Sequence, residues 1–352
     1  MPDEKNTMDK RTKIILIGLA VLLGGAFLVW KALDRSLGKP LELEARQATS
    51  RPAAPPATQP ATQPADQPAT PPAAQPAAGQ VDKTCGASGQ IDIQVIGLTV
   101  KHDEPLDADL IRLVHLDFDQ PAVTVIALPR TLWVETVALE NPPEPETYLG
   151  QVYTLAKAEA QGQPERARHE KAAQVFAQTV LDNFGYAADH YITVDPIWLI
   201  KMVDTLGGID VVLPLAVDAT SEELGSFPAG PQHLDGTRTL NLARTLFPAS
   251  GVKGEWERID RQNVVLQGLL ATLRQPENWF KAPVLARDFH QMVVTSLSIN
   301  DIRSLLCMLE LYGDSVNLVE LPPQLMTGVA EERLLVDREQ VREWIESQIQ
   351  PP

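Results

Sequence analysis

Positive charge is what this chain has too little of. It sets 30 Lys and Arg against 46 Asp and Glu, a formal net charge of −16 over 352 residues. No stretch gathers its basic residues into a stripe, and no helix-turn-helix spacing stands out, so nucleic acid is excluded as a partner. Cysteine is nearly absent. Cys85 and Cys307 match no metal-site spacing. Cys307 lies in the apolar run Ser304-Leu-Leu-Cys-Met-Leu309 and reads as a buried free thiol, although an extracytoplasmic location would permit the two cysteines to pair. The six histidines are scattered and read as surface or packing residues rather than ligands.

Two further absences divide the chain. Charge and proline are missing from Ile14 to Trp30. At about 1.5 Å per residue this run just spans a bilayer core of about 30 Å. Lys10, Arg11 and Lys13 precede it, Lys31 and Arg35 follow, and the basic bias puts the N-terminus inside. The run is longer than the apolar core of a usual signal peptide, and no clear small-x-small cleavage site follows, which favours an uncleaved anchor over a cleaved signal. Large apolar side chains are almost missing from Ser50 to about Gln80, where Gln59-Pro-Ala-Thr, Gln63-Pro-Ala-Asp and Gln67-Pro-Ala-Thr form a loose repeat. Such a segment cannot repay the entropy of folding. Its prolines favour a semi-rigid polyproline stalk on the order of 90 Å long. The expected organisation is a cytoplasmic N-terminus (1–13), a transmembrane helix (14–30), a disordered stalk (31–88) and one extracytoplasmic domain (89–347).

Within that domain, Ile91–Ile96 alternates like a strand. The apolar runs Asp109–Leu116 and Ala122–Pro129 flank the turn-forming Asp117-Phe-Asp-Gln-Pro121 and predict a β-hairpin. Helices are expected over 169–184, 197–206, 236–244, 255–273, 300–312 and 337–347, and strands over 190–194, 209–213 and 316–321. Interleaved strands and helices, with Leu113–Val114 and Val211–Leu213 reading as buried on both faces, predict an α/β sheet covered by helices.

Asp109 and Arg130 stand equidistant from the hairpin turn, so they emerge opposite each other at its open end. Alone, the pair reads first as a strand-end salt bridge. Further along come Arg244, Arg258, Arg261 and Gln262. The last three share one helix face at i, i+3 and i+4, near the helix start. Forked guanidinium donors at a helix N-terminus suit phosphate oxygens. A surface ion network with Glu257 and Asp260 is the alternative reading.

The order of these motifs resembles the LytR-CpsA-Psr family over about Ile91 to Ser347. The blocks that carry the resemblance are Leu128-Pro-Arg130, Asp189-His-Tyr-Ile-Thr-Val-Asp195, Leu206-Gly-Gly-Ile-Asp-Val-Val-Leu-Pro214, Leu234-Asp-Gly236 with Ala243-Arg244, and Arg258-Ile-Asp-Arg-Gln262. The resemblance implies a three-layer α/β/α sandwich with a central mixed sheet. It also implies an apolar pocket for a polyprenyl phosphate or pyrophosphate lipid, Mg²⁺ on the pyrophosphate, and transfer of a lipid-carried glycan to a cell-wall acceptor at the membrane. By that resemblance Asp109 is the metal-side carboxylate, with Glu255 a second candidate. Asp109 and Arg130 are the catalytic pair, and Arg130, Arg244, Arg258, Arg261 and Gln262 bind pyrophosphate.

The chain departs from the family pattern at several positions. Thr99 and Thr131 stand where the family has aspartates, and Leu246 where it has an arginine. Glu255-Trp-Glu257 replaces Asp-Phe-Gly, and Tyr148 replaces a lysine in a block whose tyrosine survives as Tyr153. Three readings therefore stand side by side: a membrane-anchored glycopolymer transferase, a catalytically weak module of the same fold that binds polyprenyl phosphate or another anionic lipid, and an accessory wall-interaction protein with a repurposed pocket.

Overall fold

A computed structural model of the chain describes residues 34–44, 85–99, 108–218, 225–245, 253–281, 284–285, 289, 292–330 and 333–350. The expected membrane segment at 14–30 and most of the expected stalk lie outside them. No helix among the described residues is long and apolar enough to cross a membrane.

The chain runs β1 (Gln90–Leu98), β2 (Ala108–Asp117), β3 (Ala122–Ala127), β4 (Trp133–Glu135), β5 (Glu146–Tyr148), α1 (Leu149–Glu159) and α2 (Glu165–Phe184). It continues through β6 (His190–Val194), α3 (Pro196–Leu206), β7 (Ile209–Leu213), β8 (Val217–Asp218), β9 (Ser226–Phe227), β10 (Gly230–Leu234), α4 (Gly236–Arg244) and α5 (Lys253–Leu273). Last come β11 (Val293–Thr295), α6 (Ile299–Tyr312), β12 (Asn317–Glu320), β13 (Met326–Ala330), β14 (Arg333–Val336) and α7 (Arg338–Ile349).

Six strands form one mixed sheet in the order β11-β6-β1-β2-β3-β12. β1 pairs antiparallel with β2 and parallel with β6, while β12 runs parallel to β3. On one face Ile96, Ile111, Leu113 and Ile126 pack against α1, α2 and α7 through Val152, Phe176 and Val341. On the other face Ile93, Leu116, Val123 and Val125 meet Met308 of α6. The hairpin β7–β10 forms a satellite core with α3, α4 and α5. Helices on both faces explain why β2 carries apolar residues at successive positions.

Local signals set most boundaries. The Asp117 carboxylate accepts from the amides of Asp119 and Gln120 at 2.9 and 2.8 Å, closing the hairpin turn. Asp195 caps α3 with Pro196 at its first position, and Gly207 ends that helix at φ +90°.

Four readings of the sequence need correction. The thiol at Cys307 is not free: it bonds to Cys85, with Cα atoms 5.5 Å apart. The segment entering β1 lies against α6, where the Ser304 hydroxyl donates to the Cys85 carbonyl at 2.8 Å. Residues 34–44, assigned to the stalk, instead lie on the domain. Leu37 donates to the Leu297 carbonyl at 3.0 Å, and the side-chain amides of Gln174 and Gln178 clasp the backbone of Glu42 and Glu44. β7 is not buried on both faces, since Val212 is 66% exposed in a strand paired only with β10. Helix α1 leaves no clear periodic signal in the sequence, because small and polar residues blur its apolar face.

Candidate functional site

The β2–β3 register pairs Asp117 with Ala122 and Arg112 with Ala127. Continued outward, it brings Asp109 opposite Arg130 just beyond the end of β3, and the two side chains form an ion pair. The backbone at Arg130 is fixed from the other side. The amide of Gly150, in the first turn of α1, donates to the Arg130 carbonyl at 2.8 Å. A Cβ on Gly150 would lie 2.9 Å from the Ala108 carbonyl oxygen and 3.0 Å from the Arg130 Cβ, so only glycine lets α1 approach so closely.

Helix α5 supplies the opposite wall. Glu255, Arg258, Arg261 and Gln262 all face inward and are buried, Arg258 to 2% exposure. The alternative of a surface ion network is thereby removed. Arg258 donates to Glu255 at 2.7 Å and reaches Asp109 at 3.4 Å, while Arg130 also lies 3.6 Å from Glu255. Two carboxylates and two guanidiniums thus alternate in a closed ring. Burial pushes the Arg258 pKa down, Glu255 pushes it back up, Arg130 lowers it and Asp109 raises it. Arg261 bonds the Thr245 carbonyl, and its pKa is likewise lowered, first by burial. Gln262 reaches the carbonyls of Asp109 and Ala243, each at 3.4 Å. Arg244 is half-buried at the end of α4.

Next to this ring opens a cavity of about 340 Å³ between the sheet and helices α3 to α6. Its wall is overwhelmingly apolar, with Val95, Val114, Val125, Leu199, Leu266 and Leu305 among the lining residues. Its polar lining comes from Asp109, Arg112, Arg244 and Gln262. Such a container suits an amphiphile with a long hydrocarbon chain and an anionic head.

The structure therefore brings together Asp109, Arg130, Arg244, Glu255, Arg258, Arg261 and Gln262. Thr99 is buried beside them, and its hydroxyl has no hydrogen-bond partner. Tyr153 is not part of the site. It is fully buried in the α1–α2 layer, hydrogen-bonded to His169 at 2.7 Å. Leu246 lies outside the described residues. Arg112 joins these residues as well, a lone charge in the apolar run Leu110–Leu116. Its β-alternation with Leu110, Val114 and Leu116 was the signal that places it on the cavity face.

A model described as the LytR_cpsA_psr family matches residues 63–348. The chain belongs to the LytR-CpsA-Psr family. Among curated relatives, the polyisoprenyl-teichoic acid–peptidoglycan teichoic acid transferase TagV of Bacillus subtilis (strain 168) is 29% identical over 128 residues, 35% of this chain and 32% of TagV. TagU of Enterococcus faecalis, with the same descriptive name, is 24% identical over 48% of this chain and 56% of its own length. The chain thus spans about a third to somewhat over half of these relatives. Among solved structures, B. subtilis TagV aligns with TM-score 0.56 at 20% identity, covering 75% of this chain and all of that one. A LytR-Csp2A-Psr enzyme from Actinomyces oris aligns with TM-score 0.55 at 21% identity, covering 76% and 92%. These likenesses establish the LytR-CpsA-Psr fold, a mixed α/β domain around a central mixed sheet.

Proposed function

We propose that this protein is a membrane-anchored, extracytoplasmic member of its family. Its cavity takes the hydrocarbon chain of a polyprenyl pyrophosphate-linked glycan, and its arginines take the phosphates. The observation that carries this reading is the apolar cavity that meets Asp109, Arg244 and Gln262 beside the buried Arg258. The names of TagV and TagU, which describe transfer of teichoic acid from a polyisoprenyl carrier to peptidoglycan, support a cell-wall glycan as cargo. The apolar run 14–30 supports the anchor.

In the transfer, an acceptor sugar hydroxyl attacks the phosphorus that bears the glycan. The new O–P bond forms as the bridging O–P bond breaks, and polyprenyl monophosphate leaves. Arg130, Arg244, Arg258 and Arg261 stabilise the charge that develops on the leaving phosphate. Asp109, at the open end of the hairpin, receives the hydroxyl proton.

Mg²⁺ is the cofactor that the family implies, with Asp109 and Glu255 as its candidate donors. Both carboxylates are already shared by Arg130 and Arg258, and Thr99, where the family has an aspartate, is neutral. Among the described residues no group of three His, Cys, Asp or Glu side chains converges. An octahedral ion with oxygens at about 2.0–2.1 Å would have to displace both guanidiniums. The donor set as arranged does not fit the ion, and no step is routed through it.

Incubation of the purified chain with a polyprenyl pyrophosphate-linked oligosaccharide and wall fragments tests the reading: glycan should appear on the fragments and polyprenyl monophosphate in the lipid phase. Lipid retained with no transfer would favour the binding module, for which the neutral Thr99 and Thr131 speak.

A further inference from the structure

Arg112 stands on the cavity face of β2, where Leu110 and Val114 line the same wall. It is 3% exposed, yet no carboxylate among the described residues lies within ion-pair distance of it. Neutral oxygens hold its guanidinium instead. Nη1 donates to the Ile111 carbonyl at 3.1 Å, and Nη2 donates to Gln262 Oε1 at 3.0 Å and Asn263 Oδ1 at 3.3 Å. Nε has no acceptor. Burial first, and then the positive charge of Arg258, lower its pKa to about 9, with Glu320 opposing both. Arg130 and Arg258, by contrast, are balanced by Asp109 and Glu255. Burying a guanidinium without a counter-ion is unfavourable, and an anion in the cavity would offset that penalty.

We propose that Arg112 is a further anion-binding residue of this site, holding the lipid-side phosphate of a polyprenyl pyrophosphate without a divalent cation. The inference rests on the reading given under Proposed function. Arg112 lies three residues inward from Asp109, about 10 Å deeper along the wall at about 3.3 Å per residue. That is the side toward the hydrocarbon chain. Its amide clasp through Gln262 aims it at the same helix face as Arg258. Thr99 is neutral where the family has an aspartate, and Arg112 brings a positive charge to the cavity wall with no carboxylate among the described residues paired to it. Side chains thereby supply the neutralisation that a metal would otherwise provide.

The test is calorimetric titration of the full chain in detergent with geranylgeranyl pyrophosphate, in EDTA and then with Mg²⁺, and with geranylgeraniol as the neutral control. Wild type should bind the pyrophosphate in EDTA. Arg112→Met should weaken that binding at least about tenfold, leave geranylgeraniol binding unchanged, and melt no lower than wild type. Arg112→Lys should fall between the two; if the Met variant does not fold, the Lys variant alone decides, and unchanged binding overturns the inference. Wild type that binds only after Mg²⁺ is added, or Arg112→Met that matches wild type in EDTA, overturns the role of Arg112 and leaves the functional reading intact. Wild type that binds the pyrophosphate in neither buffer overturns both.

Discussion

Asp109 and Arg258 belong to one charge ring, and the proposed transfer gives them different tasks that substitution separates. Arg258 is almost fully buried and bonded to both carboxylates, so its guanidinium is the group that an incoming phosphate would share with Glu255. Arg258→Ala should weaken polyprenyl pyrophosphate binding at least about tenfold, since a charge-assisted contact is worth about 1.5–3 kcal/mol. It should also lower the melting temperature, because Glu255 would be left buried without its closest counter-charge. Asp109→Asn keeps the shape and removes the proposed base. It should abolish transfer while binding stays within a few-fold of wild type, as read by titration and turnover on the same preparation. Equal turnover in Asp109→Asn and wild type would reduce Asp109 to a strand-end ion-pair partner.

The elements hold these side chains in place, and their legibility in the sequence differed. The hairpin was readable because Asp117 and its turn fix the β2–β3 register, and register alone puts Asp109 beside Arg130. The inward face of α5 was readable from i, i+3, i+4 spacing. Its depth was not: on spacing alone Arg258, Arg261 and Gln262 read first as a solvated ion network, and only their enclosure in the fold buries them. Arg112 was hidden because alternation assigns a face but cannot tell a cavity wall from solid core. The α1 contact was hidden too, since a close approach at Gly150 leaves no periodic trace. Gly150→Ala tests that contact. Its Cβ would press on the Ala108 carbonyl and the Arg130 Cβ, so transfer should fall several-fold or more with the fold retained. Wild-type turnover in Gly150→Ala would mean that the Arg130 loop yields without cost. The disulfide joins Cys85 to α6, whose Leu305 and Leu309 line the cavity. Reduction should lower stability by about 2–4 kcal/mol and show as a lower melting temperature.

At the scale of the whole molecule, the domain carries two attachments on its N-terminal side: residues 34–44 on α2, and Cys85 on α6. The Pro/Ala/Gln tract between them lies outside the described residues. If the apolar run 14–30 anchors the chain with the domain outside, protease added to intact cells should cut within the tract. The cut fragment should keep the disulfide. A domain protected while an external marker is digested would contradict that topology.

Mass spectrometry of lipid extracted from the purified, detergent-solubilised chain asks whether the cavity beside Asp109 and Arg258 holds a polyprenyl phosphate lipid. Wild type should yield polyprenyl phosphate or pyrophosphate species, enriched over the detergent blank and depleted in Arg258→Ala. Extracts that contain only bulk membrane phospholipid, in equal amounts from wild type and Arg258→Ala, would contradict it.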